Sequence, residues 1–213
     1  MFYCTDNGRN TIMARSKSFD PEDVLEAALQ LFWTKGYEQT SMQDLVDVMG
    51  INRGSLYDTF GDKQRLYRKA VERYLDWYTL RTMRAAMADG DYSPKEQLQL
   101  LFDRLVEEGA GVNRERGCLL TNTITELGHR DPEITEQVAE GIRQVEGTLT
   151  ELIRKGQELG EFTSHEDAGA LARYLTSTIH GMRVVTRVYG SREPLSEIAR
   201  LALSTLMPKA GVH

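Results

Sequence analysis

The chain of 213 residues is 40% hydrophobic and 27% charged, as in ordinary globular proteins, and it carries a net charge of −6. No apolar run approaches the roughly 18 residues that a membrane span requires, and residues 1–12 lack the pattern of a signal peptide. We therefore expect a cytoplasmic protein with no membrane partner, in which both cysteines are reduced thiols. Most of the excess acid lies in the second part of the chain, since residues 1–75 hold 10 basic and 11 acidic side chains.

The start of the chain shows no helical periodicity, and we expect residues 1–18 to be a disordered or mis-started extension. Asp20-Pro21 then opens the first helix, because proline is tolerated at the first helical position. The core side of this helix is predicted from its apolar spacing: Val24, Leu25, Ala28, Leu31 and Phe32.

The segment from Thr40 to Phe60 predicts two short helices joined by a tight turn. Thr40 is the expected N-cap of the first of them, with Gln43 three positions later to complete a capping box. The apolar face of this helix is predicted from helical spacing: Leu45, Val48 and Met49. Gly50 ends the helix, since glycine reaches the left-handed backbone conformation that a sharp turn requires.

The second helix of the pair begins at Arg53, where Asn52 is the expected N-cap. This helix is too short and polar to be a core helix, and only Leu56 and Phe60 are expected to point inward. The arrangement predicts a helix-turn-helix, in which the second helix lies in the major groove of DNA and the first crosses the backbone.

The stretch from Asp20 to Trp77 resembles the N-terminal domain of TetR-type transcriptional regulators. The resemblance is carried by linked segments at fixed spacing: F-x-x-x-G-Y at the end of the first helix, Thr40-Ser41 before an apolar helix, the glycine turn, G-S-L-Y-x-x-F and x-D-K-x-x-L. One departure stands at Asp58 and Thr59, where family members usually have His, Tyr or Trp. The last turn of the second helix is therefore expected to read a different edge of its site.

The resemblance implies an all-α regulator, by family default a repressor, that needs no cofactor. It would bind a pseudo-palindromic operator of double-stranded DNA as a homodimer and be released by a small-molecule effector. The near-neutral charge of the first 75 residues implies few phosphate contacts and binding that weakens quickly with salt. The residues expected to contact bases or phosphates are Thr40, Ser41, Arg53, Ser55, Tyr57 and Lys63, with Gly54 allowing close approach of the backbone.

The remainder of the chain is predicted to be helical, with no alternating β pattern. The expected helices run from Asp62 toward Ala88, from Ser93 to a loop at Glu108–Gly117, from Cys118 to Leu127, from Asp131-Pro132 to Leu159, from Ser164 to Tyr189 and from Pro194 to Met207-Pro208. The fold class is thus all-α, with a three-helix helix-turn-helix domain over residues 19–65. A larger ligand-binding and dimerisation domain is expected over residues 66–207, followed by a tail over residues 208–213.

The last two helices carry more apolar residues than one face of each helix needs for its own core. We expect them to form a four-helix bundle with the same helices of a second subunit, through Leu175, Ile179, Met182, Ile198, Leu201 and Leu206. The alternative is a pair of ordinary buried helices within one subunit.

A ligand pocket is the second feature expected of the larger domain, since an apolar cavity with a few polar groups is the usual small-molecule site. The candidate lining residues are Trp77, Tyr78, Arg81, Phe102, Cys118, Asn122, Glu126, Tyr174 and His180. For each residue taken alone, core packing is the simpler interpretation. A further alternative is a protein partner in place of a small molecule.

Cys118 stands at the expected start of a helix, in the segment R-G-C-L-L-T-N. This segment is similar to that of some TetR-type regulators that respond to reactive small molecules through cysteine. Free backbone N–H groups, the helix dipole and Arg116 would stabilise a thiolate there. A thiol-based redox or electrophile sensor is therefore an alternative function, and a small buried residue is the simpler interpretation.

An enzyme is the rival class of protein. The four histidines show no metal-ligand spacing with cysteine or acidic residues, so we expect no metal site. A nucleophile pair of Cys118 and His129 is conceivable but would be three helical turns apart. We therefore expect no catalytic residues.

Overall fold

A computed structural model describes residues 19–81, 83–84, 92–111, 114–189 and 191–208, apart from the side chain of Tyr78. Within these ranges all regular structure is helical, which confirms the all-α fold class. The extension expected over residues 1–18 and residues 209–213 of the expected tail lie outside the described residues.

The helices follow one another with short connections. They are α1 (Pro21–Lys35), α2 (Met42–Met49), α3 (Arg53–Phe60), α4 (Lys63–Tyr74), α5 (Pro94–Ala110), α6 (Leu119–Leu127), α7 (Pro132–Glu158), α8 (Ala168–Tyr189) and α9 (Arg192–Ser204). Helix α4 continues into a π-helical segment, Leu75–Leu80, and its expected course toward Ala88 then leaves the described residues. None of the described helices is long and apolar enough to cross a membrane.

Side-chain caps fix most helix starts, as the sequence predicts for Asn52 and Ser93. The prediction that Thr40 caps α2 was wrong, because Ser41 is the N-cap and exchanges hydrogen bonds with Asp44 in a capping box. The Thr40 hydroxyl instead donates to the Gly36 carbonyl at 2.6 Å, and the residue is only 1% exposed.

Three bounds in the second half of the chain differ from the sequence prediction. Helix α5 continues to Ala110, so the loop expected from Glu108 begins later. Helix α8 begins at Ala168 instead of after Ser164, because the Asp167 carboxylate accepts the Ala170 N–H at 2.9 Å. Helix α9 spans Arg192–Ser204, two residues earlier at its start than predicted.

The buried side chains form two clusters. The first joins α1–α4 to α6 and the start of α7, with Phe32, Tyr67 and Leu119 fully buried at its centre. The second joins α5, α7, α8 and α9 around Phe102 and Leu175. The helix-turn-helix therefore shares a core with part of the larger domain, and the expected domain division at residue 65 stays a prediction.

The residues expected at a subunit interface separate into two groups. Leu175 and Leu206 are fully buried and Met182 is 4% exposed, so these three belong to the core of their own subunit. Ile179 and Ile198 pack partly against the same core, and Leu201 is 55% exposed. Helical periodicity alone does not tell a helix face that meets its own core from one that meets a partner. Leu175, Met182 and Leu206 are therefore reassigned to the core, and the assignment of Ile179, Ile198 and Leu201 to an interface stays a prediction.

Helix α8 has a different face open to solvent. Its exposed residues repeat at spacings of three and four along the helix: Tyr174, Ser177, Gly181, Val184 and Val188. We call this set the α8 stripe. Val188 is 79% exposed, and a Cβ added at Gly181 would meet nothing within 4 Å.

Candidate nucleic-acid interface and thiol site

The turn between α2 and α3 is built as the sequence predicts. Gly50 has a φ of 62°, in the left-handed region that favours glycine. The Asn52 side chain then accepts the Ser55 N–H at 2.8 Å and starts α3. Leu56 and Phe60, at 0% and 6% exposure, hold α3 against the first core cluster. The opposite face of α3 is consequently directed to solvent.

That outward face carries most of the residues predicted to contact DNA. Arg53, Gly54 and Tyr57 are exposed, and Ser55 is half-buried. The Arg53 guanidinium lies 5.9 Å from the centroid of the Tyr57 ring, so the two longest side chains of the face stand beside each other. A cation, two hydroxyl groups and a bare backbone thus share one exposed helix.

The flanks of α3 differ in how they present the other predicted contacts. Ser41 is exposed, but its hydroxyl already donates to the Asp44 carboxylate at 2.7 Å. Lys63 is half-buried with its Nζ 4.2 Å from the centroid of the Tyr37 ring, and burial lowers its pKa. Thr40, buried under the α1–α2 connection, has no exposed hydroxyl to offer a phosphate.

The structure adds residues to this surface that the sequence argument missed. Val48, expected in the core, is 45% exposed on α2. Arg65 and Lys69 line a hollow of about 500 Å³ together with Tyr57 and Asp58 of α3. Their spacing of two and six residues after Lys63 on an amphipathic helix was the available signal.

Two hydrogen bonds fasten α1 and the residues after it to α6 and the turn that precedes it. In the first, the Trp33 indole donates to the Gly117 carbonyl at 3.1 Å; the Trp33 ring also meets the Tyr74 ring of α4 edge to face at 5.0 Å. The backbone N–H of Tyr37 donates to the Glu126 carboxylate at 2.8 Å. Glu126 therefore helps to hold the α1–α2 connection in place, and it also forms part of the wall of a neighbouring cleft.

Cys118 is buried at the N-cap of α6, next to polar groups from other helices. Burial raises the pKa of its thiol, but the hydrogen bond and the charge of His180 lower it. The Thr121 N–H and the Arg183 charge add to this lowering, and the resulting pKa is about 6. Tyr74 also hydrogen-bonds the sulfur, and burial raises the pKa of its phenol. A substantial thiolate fraction at neutral pH follows.

Two hollows meet at Cys118 and Arg183. The outer cleft, of about 370 Å³, lies between the end of α1, helix α6 and helix α8. It is bordered by residues 33–36 and by Cys118, Thr121, Asn122, Thr125, Glu126, Arg183, Val184 and Arg187. The inner cavity, of about 50 Å³, is mostly apolar and contains Cys118, His180 and Arg183 in its wall. Cys118 therefore borders both hollows, and only the outer one has the volume to admit a small molecule.

Only part of the predicted ligand set lines these hollows, namely Cys118, Asn122, Glu126 and His180. Trp77 and Tyr174 line neither hollow and are 51% and 46% exposed, so their assignment to a ligand site stays a prediction. Arg81 is exposed with its guanidinium 4.1 Å from the centroid of the Trp77 ring, Phe102 is fully buried in the second core cluster, and the Tyr78 side chain lies outside the described residues.

The histidine that faces Cys118 is not the one considered from the sequence. His129 is exposed and accepts a hydrogen bond from its neighbour Arg130 at 2.9 Å, whereas His180 of α8 is the partner of the thiol. Cys118 and His180 are 62 positions apart in the sequence, so no local spacing could have paired them. Among the described residues, no group of three or more histidine, cysteine or acidic side chains is placed to hold a metal ion.

Comparison with known protein families matches both parts of the chain. Residues 24–70 match the family described as bacterial regulatory proteins, tetR family. Residues 94–202 match the family described as tetracyclin repressor-like, C-terminal domain.

Two relatives span most of the chain. YezE, an HTH-type transcriptional regulator of Bacillus subtilis (strain 168), is 32% identical over 91% of this chain and 100% of its own. ComR, an HTH-type transcriptional repressor of Escherichia coli (strain K12), is 31% identical over 89% of this chain and 90% of its own. A solved structure of the TetR family regulator CifR, a cysteine mutant with 26 bp operator DNA, is 25% identical, with a TM-score of 0.78 over 90% of this chain and 99% of that one.

The Cys118 environment predicts an unusual pH profile for thiol reactivity. In a Cys4→Ser background, the rate of alkylation by iodoacetamide should rise with pH through an inflection near pH 6, because only the thiolate reacts. His180→Gln should move the inflection to higher pH, because the histidine that lowers the pKa of Cys118 is lost while burial still raises it. His129→Gln, at an exposed histidine, is the control and should leave it in place. An inflection near pH 8.5 in the parent protein, as for an ordinary thiol, would contradict the assignment.

Proposed function

Because this chain belongs to the tetR family of bacterial regulatory proteins, which are transcription regulators and not enzymes, we propose that it is a homodimeric repressor of a pseudo-palindromic operator. The observation that carries the proposal is α3, anchored by Leu56 and Phe60 and free to present Arg53, Gly54 and Tyr57. Repression is supported by the similarity to ComR, which is named a transcriptional repressor. An operator-binding protein of a bacterium works in the cytoplasm, where the chromosome is.

The mode of DNA binding follows from the helix-turn-helix. The two α3 helices of a dimer would enter successive major grooves about one helical turn (~34 Å) apart. Arg53 and Ser55 are assigned to bases or phosphates, and Gly54 to close approach of the backbone. Ser41, Tyr57 and Lys63 are assigned to phosphates on either side of the groove, and Thr40 is withdrawn from the list because it is buried.

Arg53→Ala tests the assignment of α3 as the DNA-reading helix. We expect roughly 100-fold weaker binding to a duplex enriched from a random pool, because two base or phosphate contacts per dimer are lost. Fluorescence anisotropy at two salt concentrations measures it, with a scrambled duplex as the reference. Arg104→Ala, which removes the same charge from an exposed position of α5, should bind as the parent does. Equal weak binding of the parent to both duplexes would contradict sequence-specific recognition.

The α8 stripe is the surface that we assign to the dimer. Monomeric proteins rarely leave a contiguous apolar patch exposed, and this stripe holds Tyr174, Val184 and Val188 in a single line. Ser177 and Gly181 lie between them, and such small residues let two helices approach closely. The exposed Leu201 of α9 extends the assignment to the second helix of each subunit. A palindromic operator requires a twofold axis, which this pairing supplies.

Val188→Glu should dissociate the dimer, because it places a carboxylate from each subunit into an apolar contact. We expect at least a tenfold weaker dimer, on the order of 1.4 kcal/mol, measured by sedimentation velocity over a range of concentrations. Leu159→Glu, at a residue 60% exposed just beyond α7, is the matched control and should leave the dimer unchanged. If Val188→Glu dimerises as the parent does, the interface lies on another face.

The outer cleft is the site that we assign to a small-molecule effector. Its volume of about 370 Å³ is of the size that ligand pockets usually have. Lys35, Arg183 and Arg187 border it together with the acid Glu126. Lys35 and Arg183 are paired with Asp44 and Glu108, so Arg187 is the lining cation without a carboxylate partner among the described residues, and a neutral or singly anionic molecule fits this charge. A bound molecule would touch both α1 and α6, and it would release DNA only if it binds the DNA-free arrangement more tightly.

A thiol sensor is the second candidate function, and the hydrogen bond between His180 and Cys118 favours it. An electrophile would form its bond with the Cys118 sulfur, whose neighbours Gly117 and Tyr74 touch Trp33 of α1. Reaction at the sulfur would therefore disturb the contact between the larger domain and two DNA-binding helices.

Cys118→Ser separates this function from simple ligand binding. The variant should bind the operator as tightly as the parent, because serine keeps the size of the side chain, but it should no longer be released by iodoacetamide or a mild oxidant. We expect at least a tenfold loss of operator affinity for the treated parent and none for the treated variant. Cys4→Ser is the control and should respond like the parent. A response that survives in Cys118→Ser would end the thiol-sensor proposal.

A further inference from the structure

Helix α3, the helix proposed to enter the major groove, carries one acidic side chain on its exposed surface, Asp58. Residues four apart lie on the same side of an α-helix, so Asp58 stands directly beyond Gly54. A Cβ added at Gly54 would meet only the Asn52 side chain, at 3.2 Å, and the rest of the space around it is open. The carboxylate therefore stands beside the point where the α3 backbone comes closest to a bound duplex.

The fold itself makes no use of this carboxylate. Across the part of the chain that the structure describes, Asp58 takes part in no hydrogen bond or salt bridge. It lies in the last turn of α3, which contains no basic residue, and the helix dipole disfavours a negative charge there. A residue that costs stability locally is expected at a functional position.

The charge is also unfavourable for binding DNA in general, because phosphates repel it. Arg65 and Lys69 border the same hollow as Asp58 and offset this repulsion by offering cations to the backbone. On a bound duplex this arrangement would place the carboxylate beside the base edges and the two cations beside the phosphates.

A carboxylate can only accept hydrogen bonds, and the major groove offers it few donors. Guanine and thymine present acceptors at their edges, whereas cytosine presents its N4 amino group. Adenine also presents an amino group, but its N7 acceptor lies beside it and would repel the second carboxylate oxygen. We propose that Asp58 is a specificity-determining residue that accepts a hydrogen bond from the amino group of a cytosine in each half-site. This inference rests on the proposed function as a sequence-specific DNA binder.

The test is a binding selection from a random duplex pool with the full-length parent, Asp58→Ala and Asp58→Asn. The parent should prefer cytosine at one position of each half-site by about tenfold or more. Asp58→Ala should lose the preference at that position alone, and Asp58→Asn should shift it to adenine, whose N6 and N7 pair with an amide. Asp47→Ala, which removes an exposed acid from α2, is the control for charge and should keep the cytosine.

Three outcomes would overturn the inference. If Asp58→Ala binds all sequences more tightly by one common factor, with unchanged base preferences, Asp58 acts only through repulsion. If both Asp58 variants lose binding to every sequence and melt at a lower temperature than the parent, the role of Asp58 is structural. We expect instead that the melting temperature of the variants rises by about 1–3 °C, because the unfavourable interaction of the carboxylate with the helix dipole is removed. A pool in which the parent enriches nothing would contradict the proposed function itself and this inference with it.

Discussion

The packing of Trp33 and Tyr74 against the turn at Gly117 and Cys118 is the contact on which the relation between the two parts of the molecule depends. The rings meet edge to face at 5.0 Å, the indole donates to the Gly117 carbonyl, and both side chains are buried. Burial of each large aromatic side chain stabilises the fold by roughly 2–3 kcal/mol. Helices α1 and α4 therefore cannot tilt without moving this turn, and the turn cannot move without disturbing both helices.

The polar groups around the Cys118 sulfur lie where α4, α5, α6 and α8 meet. Arg183 forms a salt bridge with Glu108 of α5 at 2.6 Å, and the Thr186 hydroxyl donates to the Gly109 carbonyl at 2.6 Å. Burying such groups costs free energy that only a complete set of partners offsets. A change of one proton or one covalent bond at the sulfur would alter several of these partners together. Arg183, which holds α8 against α5, therefore also borders the Cys118 sulfur.

The helices and the turn between α2 and α3 could be predicted because their signals are local. Asn52 and Gly50 fix the turn through their own backbone and side-chain geometry, and neither depends on a distant residue. The prediction that Thr40 is the N-cap of α2 failed because serine and threonine can both cap, and the neighbouring Ser41 does so while Thr40 is buried. The pairing of His180 with Cys118 had no signal in the sequence, since only the packing of α8 on α7 and α5 brings His180 next to the start of α6.

The π-helical segment Leu75–Leu80 has a consequence for how such chains vary in evolution. Its carbonyls pair five residues onward, so it holds one residue more than an α-helix of the same length and rotates the next helical turns by about 100°. The buried residues of this helix up to Leu75 belong to the first core cluster. After the rotation, Leu80 and Met83 belong to the second core cluster. Gain or loss of a single residue in this segment would rotate the second core cluster relative to the first and leave the packing inside each cluster unchanged. The angle between the helix-turn-helix and the helices of the second core cluster can therefore change through one inserted or deleted residue in this segment.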